Sequence, residues 1–308
     1  MNAPPQPAAD VDVEVVVVSY NSADELERCV GPLVTTPHTR VVVVDNASTD
    51  GTLAVLARLG VQPVALDRNG GFARGCNEGW RSGEAPFVLF LNPDAQIDAG
   101  SVARLRAVLD TEPRIGAVAP RIVGEDGALA YSQRHFPRLR SGFAQALFLH
   151  RLFPTVSWTD DLIRDPAAYD RPGEPDWVSG ACVMVRRTDL ERLGGWDERF
   201  FMYREDIDLC RRLRASGLGI RFEPGAVARH RGGASAPQGR VIPVLAASRL
   251  RYAQKHYRTT GVALERIGVA LHALTHAAFG RGGAGARAGH LRALALAVRP
   301  THDRIATP

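Results

Sequence analysis

Residues 13–21 read Val-Glu-Val-Val-Val-Val-Ser-Tyr-Asn, and residues 40–52 read Arg-Val-Val-Val-Val-Asp-Asn-Ala-Ser-Thr-Asp-Gly-Thr. Runs that are β-branched on both faces mark strands buried between two layers of helix, as in a parallel sheet. Asn46 to Thr52 supply turn and capping residues before Leu53, Val55, Leu56 and Leu59, and Gly60 is a stop, which completes one β-α unit. Outward from this unit, a short strand is predicted over 61–66, and Asn69-Gly-Gly-Phe72 opens a helix that runs to Arg81. Phe87 to Leu91 is the most hydrophobic strand and ends in Asn92-Pro-Asp94. A helix from about Ser101 to Leu109 returns to a strand over 115–119. Strands alternating with helices predict an α/β protein with a Rossmann-like, mostly parallel open sheet and helices on both faces.

After Pro120 the rhythm changes. Glu125-Asp-Gly127 reads as a hairpin tip, and 131–176 as a loop-rich, proline-rich lid or acceptor-side insertion. A strand over 177–185, a helix over 205–216 and a short strand over 218–222 follow. The expected organisation is a disordered 1–12, a Rossmann-like half 13–120, a second half of the same domain 121–235, and a basic helical appendage 236–308.

The 308 residues are 45% hydrophobic and 23% charged, which excludes collagen-like, disordered and disulfide-scaffold classes. No apolar run is long enough to span a bilayer, and the N-terminus lacks the regions of a secretory signal, so a cytoplasmic location is expected. Cys29, Cys76, Cys182 and Cys210 are too far apart in sequence for a cysteine metal motif and read as thiols in a reducing compartment. The net charge is +5, yet from Arg231 onward twelve basic residues face only Glu265 and Asp303, so the basic excess lies in the tail.

Ligands of open parallel sheets sit beyond the carboxyl ends of the strands. Three polar clusters fall there: Ser19-Tyr20-Asn21, Asp45-Asn46 and Asn92-Pro-Asp94. Each alone is also explained as a turn or helix cap. Asp94, after a hydrophobic strand, is placed to hold a divalent cation against a diphosphate. Neither a P-loop nor a dinucleotide fingerprint is present. Arg74 either reaches a phosphate or is a solvated helix arginine. Glu205, Asp206 and Asp208 either complement a helix N-terminus or, behind the apolar Phe200-Phe-Met-Tyr203, include a general base. His230, between Arg229 and Arg231, is a ligand or a surface histidine.

Taken together, these stretches resemble the inverting glycosyltransferases of family 2, with the GT-A fold, and their rhamnosyltransferase-like branch. The matching pieces are Val16–Asn21, Val43–Thr52, Asn69–Gly75 with Asn77, Leu91–Asp94, Trp177–Cys182 and Gly195–Leu209, in family order over about three quarters of the chain. The resemblance implies a nucleotide-sugar donor, with Ser19, Tyr20, Asn21, Asp45 and Asn46 at base and ribose and Arg74 near the base or diphosphate. Trp177, Ser179 and Gly180 would line the sugar pocket. Asp94 stands at the metal-binding acid, Asn92 replaces the other acid of that motif, and His230 matches a late metal-site histidine. Mn²⁺ or Mg²⁺ is the implied cofactor. Asp206, beside Glu205, aligns with the general base that activates an acceptor hydroxyl.

The implied activity is transfer of a sugar, L-rhamnose from dTDP-L-rhamnose by branch, to a glycan or polyprenyl-diphosphate-linked acceptor in cell-envelope polysaccharide synthesis. The alternatives are a transferase using a UDP-sugar and a non-catalytic glycan-binding module. No nucleic acid partner is expected. In the tail, Leu264, Ile267, Leu271, Leu274 and Ala278 fall on one helix face, followed by a flexible 280–289 and an apolar 291–298. This tail either packs on the main domain or lies peripherally on the anionic inner face of the cell membrane.

Overall fold

A computed structural model of the chain describes residues 11–153, 156, 158–232, 237–280 and 282–299. The expected disorder of 1–12 thus falls outside the described residues except at 11 and 12. The chain forms two compact units. One takes the chain up to Arg134, then Asp165–Glu198 and Asp206–Gly232; the other takes His135–Arg164, Arg199–Glu205 and the chain from Gly233 onward.

The first unit begins with β1 (Val13–Ser19), α1 (Ala23–Val30), β2 (Thr39–Asp45), α2 (Thr52–Arg58), β3 (Val64–Ala65), α3 (Phe72–Arg81) and β4 (Phe87–Leu91). It continues through β5 (Ala95–Ile97), α4 (Ala99–Thr111), β6 (Ile115–Val123), β7 (Leu129–Ala130) and β8 (Gln133–Arg134). The chain enters the second unit through α5 (Leu139–Ala146) and α6 (Leu149–Leu152). Next come β9 (Trp177–Val178), β10 (Cys182–Arg186), α7 (Arg187–Leu193), α8 (Glu205–Ala215) and β11 (Gly219–His230).

Among the described residues, β3-β2-β1-β4-β10-β6-β11-β5 form one sheet, with β7 attached to β6. The predicted Rossmann-like half is β3-β2-β1-β4, all parallel. Beyond it, β10 runs antiparallel to β4 and β6, and β6 pairs parallel with β11. The all-valine faces are explained: Val15 and Val17 pack with Leu26, Leu89, Leu91, Leu105 and Met184 in one core. Each such side chain stabilises the fold by about 1.5–3 kcal/mol.

Several boundaries differ from the sequence reading. α4 starts at Ala99 because Asp98 accepts a hydrogen bond from the Ser101 N–H at 2.7 Å and caps the helix. The strand expected over 177–185 is two strands, interrupted at Ser179–Ala181. The one expected over 218–222 runs on to His230, across register irregularities that accommodate Glu223 to Val227. The stretch 131–176 is not all loop, since α5, α6 and a 3₁₀ turn at Pro166–Tyr169 lie within it.

The second unit is completed by α9 (Gln238–His256), α10 (Thr259–Phe279) and α11 (Gly283–Val298), which takes up most of the expected flexible linker. Leu250, Val269, Ala273, Ala293 and Ala297 form its core. The apolar stripe of α10, open in the sequence between a packed and a membrane-facing role, is largely exposed: Ile267 is 56% exposed, whereas Glu265, off the stripe, is 6% exposed. Leu152, Phe153, Leu264, Leu274, Phe279, Leu291 and Val298 of the same unit are also exposed. No helix among the described residues is long and apolar enough to cross a membrane.

Candidate active site

Register places the predicted polar residues. Ser19 at the end of β1 is opposite Asp45 at the end of β2, and Leu91, the last residue of β4, is opposite Val17. The three polar clusters therefore emerge at one edge of the sheet. Ser19 Oγ and Asp45 Oδ1 are buried there without a hydrogen-bond partner among the described residues. Each such group costs about 1–3 kcal/mol, which a bound polar ligand would recover.

The surrounding loops are tied to each other. The Asn21 N–H donates to Ser48 Oγ at 2.9 Å, and Asn21 Oδ1 accepts from the Thr49 N–H at 2.8 Å. Asn21 and Ala47 both have positive φ, 51° and 62°. Non-glycine residues held there carry about 1–3 kcal/mol of strain, a sign of an over-determined functional loop. Asn46 has both ends of its amide engaged, accepting from the Gly70 N–H at 2.8 Å and donating to the Gly71 carbonyl at 3.2 Å. It shapes the lead-in to α3. Arg74, on that helix, has loose ion pairs, 3.9 Å to Asp67 and 3.8 Å to Glu78, and Tyr20 is exposed.

The antiparallel pairing of β5 with β11 sets His230 opposite Ala95 and so beside Asp94. His230 Nε2 lies 3.1 Å from Asp94 Oδ1 and 3.4 Å from the Asn92 side-chain nitrogen. Burial raises the Asp94 pKa, but the hydrogen bond and charge of His230, with backbone donors, outweigh it and hold the carboxyl below its ordinary range. An ionised carboxylate beside an imidazole nitrogen suits a divalent cation. Among the described residues no third His, Cys, Asp or Glu completes a cluster, so further ligands would come from a diphosphate and water.

Asp206 lies at the start of α8. Its Oδ2 accepts from the Gly180 N–H at 3.1 Å and its Oδ1 from the Ile207 N–H at 2.8 Å. Burial raises its pKa above the ordinary carboxylate value, against these hydrogen bonds and the charge of Arg134. A carboxylate tuned upward is a stronger proton acceptor than an ordinary aspartate. The interruption between β9 and β10 brings Gly180 here, and a Cβ on it would lie 3.2 Å from Asp206 Cβ. Ser179 donates its N–H to the Ser132 carbonyl at 3.2 Å. Trp177 pairs in register with Arg134, whose guanidinium carbon is 5.1 Å from the Trp177 ring centre. Asp208, by contrast, is paired with Arg212 at 2.7 Å, and Glu205 is buried.

The model of glycosyl transferase family 2 matches residues 14–194. The chain belongs to that family. A relative described as N-acetylglucosaminyl-diphospho-decaprenol L-rhamnosyltransferase, from Mycobacterium tuberculosis, is 34% identical over 232 residues, covering 70% of this chain and 75% of the relative. Rhamnosyltransferase WbbL of Escherichia coli is 27% identical, covering 71% and 83%. A mannosyltransferase from Pyrobaculum calidifontis, solved with GDP-Man and Mn²⁺, matches with a TM-score of 0.54 at 19% identity, covering 94% of this chain and 81% of that one. At that identity the likeness speaks for the fold, which is GT-A.

Two residues of this family 2 glycosyltransferase carry more than the sequence reading gave them. Arg134, noted only within a basic and aromatic stretch, has a buried Nε without a hydrogen-bond partner among the described residues, and its charge acts on Asp206. No local sequence signal marks it, because the residues that give it meaning, Trp177 and Asp206, are distant in the chain. Asn77 is a hub: its amide nitrogen donates to the Trp196 carbonyl at 2.9 Å and to Glu198 at 2.8 Å, and its oxygen accepts from the Trp196 N–H at 2.9 Å. Gly195 has φ +78°, and a Cβ there would meet Asn77 Oδ1 at 2.4 Å, so both backbone and space require glycine.

Proposed function

We propose that this glycosyltransferase transfers L-rhamnose from dTDP-L-rhamnose, with inversion, to a sugar carried on a polyprenyl diphosphate, in cell-envelope polysaccharide synthesis. The observation that carries the catalytic reading is the Asp206 carboxylate, anchored by the Gly180 N–H and raised in pKa by burial. The substrate class is supported by the 34% identical relative, whose description names a decaprenol-diphosphate acceptor and rhamnosyl transfer.

In this reading the donor lies over the sheet edge, where Ser19 and Asp45 offer unpartnered polar atoms to its nucleoside, with Tyr20, Asn21 and Arg74 around them. Asn46 holds the Gly70-Gly71 turn. Trp177, Ser179 and Gly180 border the transferred sugar. The acceptor hydroxyl attacks the anomeric carbon from the face opposite the diphosphate. As the new C–O bond forms, the bond from that carbon to the diphosphate oxygen breaks, Asp206 takes the hydroxyl proton, and the nucleoside diphosphate leaves. Arg134 keeps the Asp206 carboxylate from becoming too basic to release the proton afterwards. Asp94 and His230 would hold a divalent cation, Mn²⁺ or Mg²⁺, whose charge offsets that of the departing diphosphate.

The exposed apolar residues of the C-terminal unit, set in a strongly basic stretch, support peripheral docking of a cytoplasmic enzyme on the membrane that holds such an acceptor. The test is transfer by the purified protein from a panel of dTDP-, UDP- and GDP-sugars to a short-chain polyprenyl-diphosphate N-acetylglucosamine. Rhamnosylated product with inverted anomeric configuration is expected. Preference for a UDP-sugar would overturn the donor assignment, and retention would overturn the single displacement.

A further inference from the structure

The short ribbon of β8 and β9 has one face committed to the fold and one that is not. Gln133 is opposite Val178 and Arg134 opposite Trp177, and the Ser179 N–H donates to the Ser132 carbonyl in continuation of that register. Opposed residues of an antiparallel pair share a face, and so do residues two apart on one strand. Gln133 and Val178 therefore take one side, where Gln133 Nε2 donates to the Ala168 carbonyl of the 3₁₀ turn at 2.8 Å. Ser132, Arg134, Trp177 and Ser179 take the other. There Ser132 Oγ and Arg134 Nε are both buried without hydrogen-bond partners among the described residues, and Ser132 is only 3% exposed. The Arg134 guanidinium rests on the Trp177 ring and has no carboxylate ion pair among the described residues. All these residues, with Gly180 and Asp206, belong to the first compact unit.

A guanidinium only donates and a hydroxyl does both, so this face calls for a ligand with acceptor oxygens. The charge of Arg134 acts on Asp206, and the residue after Ser179 donates its N–H to that carboxylate, so the face lies beside the base. An anion bound there would be repelled by Asp206; a neutral hydroxyl is not. In a single displacement the attacking hydroxyl and the departing diphosphate are on opposite faces of the transferred sugar, so groups beside the base are on the acceptor's side. We propose that the β8 side of this ribbon is the acceptor-sugar subsite, in which Arg134 donates to a ring hydroxyl near the reacting one and the Ser132 hydroxyl makes a second contact. The Trp177 ring holds the guanidinium fork in one place, which makes the site selective for where that oxygen stands on the ring. The subsite rests on the reading of Asp206 as the base.

Two variants test it. Arg134→Lys keeps the positive charge and loses the fork; Arg134→Met keeps the stem and loses both. The full chain is assayed, above the acid limb of its pH profile, with dTDP-L-rhamnose and a short-chain polyprenyl-diphosphate N-acetylglucosamine, and with analogues of that acceptor each lacking one non-reacting ring hydroxyl. Both variants should raise KM for the acceptor about tenfold or more and leave KM for the nucleotide sugar near wild type. One deoxy analogue should show the same loss with wild type and no further loss with either variant, because the bond is already gone. Losses that add for every analogue, or a rise confined to the KM of the nucleotide sugar, would overturn the subsite. Saturation-transfer NMR of octyl N-acetylglucosaminide, with dTDP present, needs no turnover. A signal from wild type that is lost in Arg134→Met supports the subsite even where the rhamnosyl or base reading fails; equal signals from the two proteins, or none from either, sink it.

Discussion

The backbone N–H of Gly180 donates to the carboxylate of Asp206 at 3.1 Å, joining the break between β9 and β10 to the first turn of α8. This hydrogen bond favours the charged carboxylate, and burial disfavours it; burial wins, so the group stays protonated to a higher pH than a free aspartate.

A pH dependence follows. Asp206 must be ionised to accept a proton, so kcat/KM should fall on the acid side at a pH above the ordinary carboxylate range. Asp94, whose pKa is lowered, remains ionised through that window and does not contribute the limb. An acid limb at or below about pH 4, the value of an unperturbed aspartate, would contradict the assignment. The same shift has a sign for stability. A carboxyl whose folded-state pKa is raised favours folding below its unfolded-state pKa and loses that contribution as pH rises through the folded value.

The Asp94–His230 pair predicts metal behaviour. Asp94→Ala and His230→Ala should each weaken Mn²⁺-dependent binding of nucleoside diphosphate, and the double variant should lose less than the sum of the two, since both act on one cation. Fully additive losses, or metal titrations unchanged in both single variants, would show that the pair only joins β5 to β11.

Arg187 makes a purely structural prediction. It is buried, donates to the Ala85 and Trp80 carbonyls at 2.6 Å each, and pairs with Glu14, which also lies 3.3 Å from Arg40. Arg187→Ala would leave Glu14 without its buried partner and should cost about 3–5 kcal/mol in denaturant unfolding. A loss below about 1 kcal/mol would mean that Arg40 alone compensates Glu14.

The outward stripe on α10 predicts membrane docking. Ile267→Glu with Leu274→Glu should reduce flotation with anionic liposomes at low salt and leave the fold intact, because both side chains are already exposed. Flotation equal to wild type, or no flotation of wild type, would return the stripe to an ordinary surface.

The sheet was legible in the sequence because a strand buried on both faces leaves no choice of register or face: Val13–Ser19 and Phe87–Leu91 read as strands and are. The sheet-edge cluster was legible for the same reason, since Ser19, Asp45 and Asp94 stand where apolar runs stop. The direction of the α10 stripe was not. Periodicity locates an apolar face but not its partner, and small residues such as Gly268 and Ala273 form the packed side while Glu265 is buried there against Arg249. Arg134 was illegible because its meaning depends on residues tens of positions away, Trp177 and Asp206.

The central claim is that Asp206 is the base of a single-displacement transfer, and Asp206→Asn tests it most directly. Transfer rate and equilibrium binding of the nucleoside diphosphate should be measured on the same preparation. The account predicts a loss in kcat of about 10²–10⁴-fold with donor-site affinity nearly unchanged, because the amide keeps the shape and cannot take the proton. Wild-type kcat in the variant would contradict it and leave Asp206 as an acid that caps a helix.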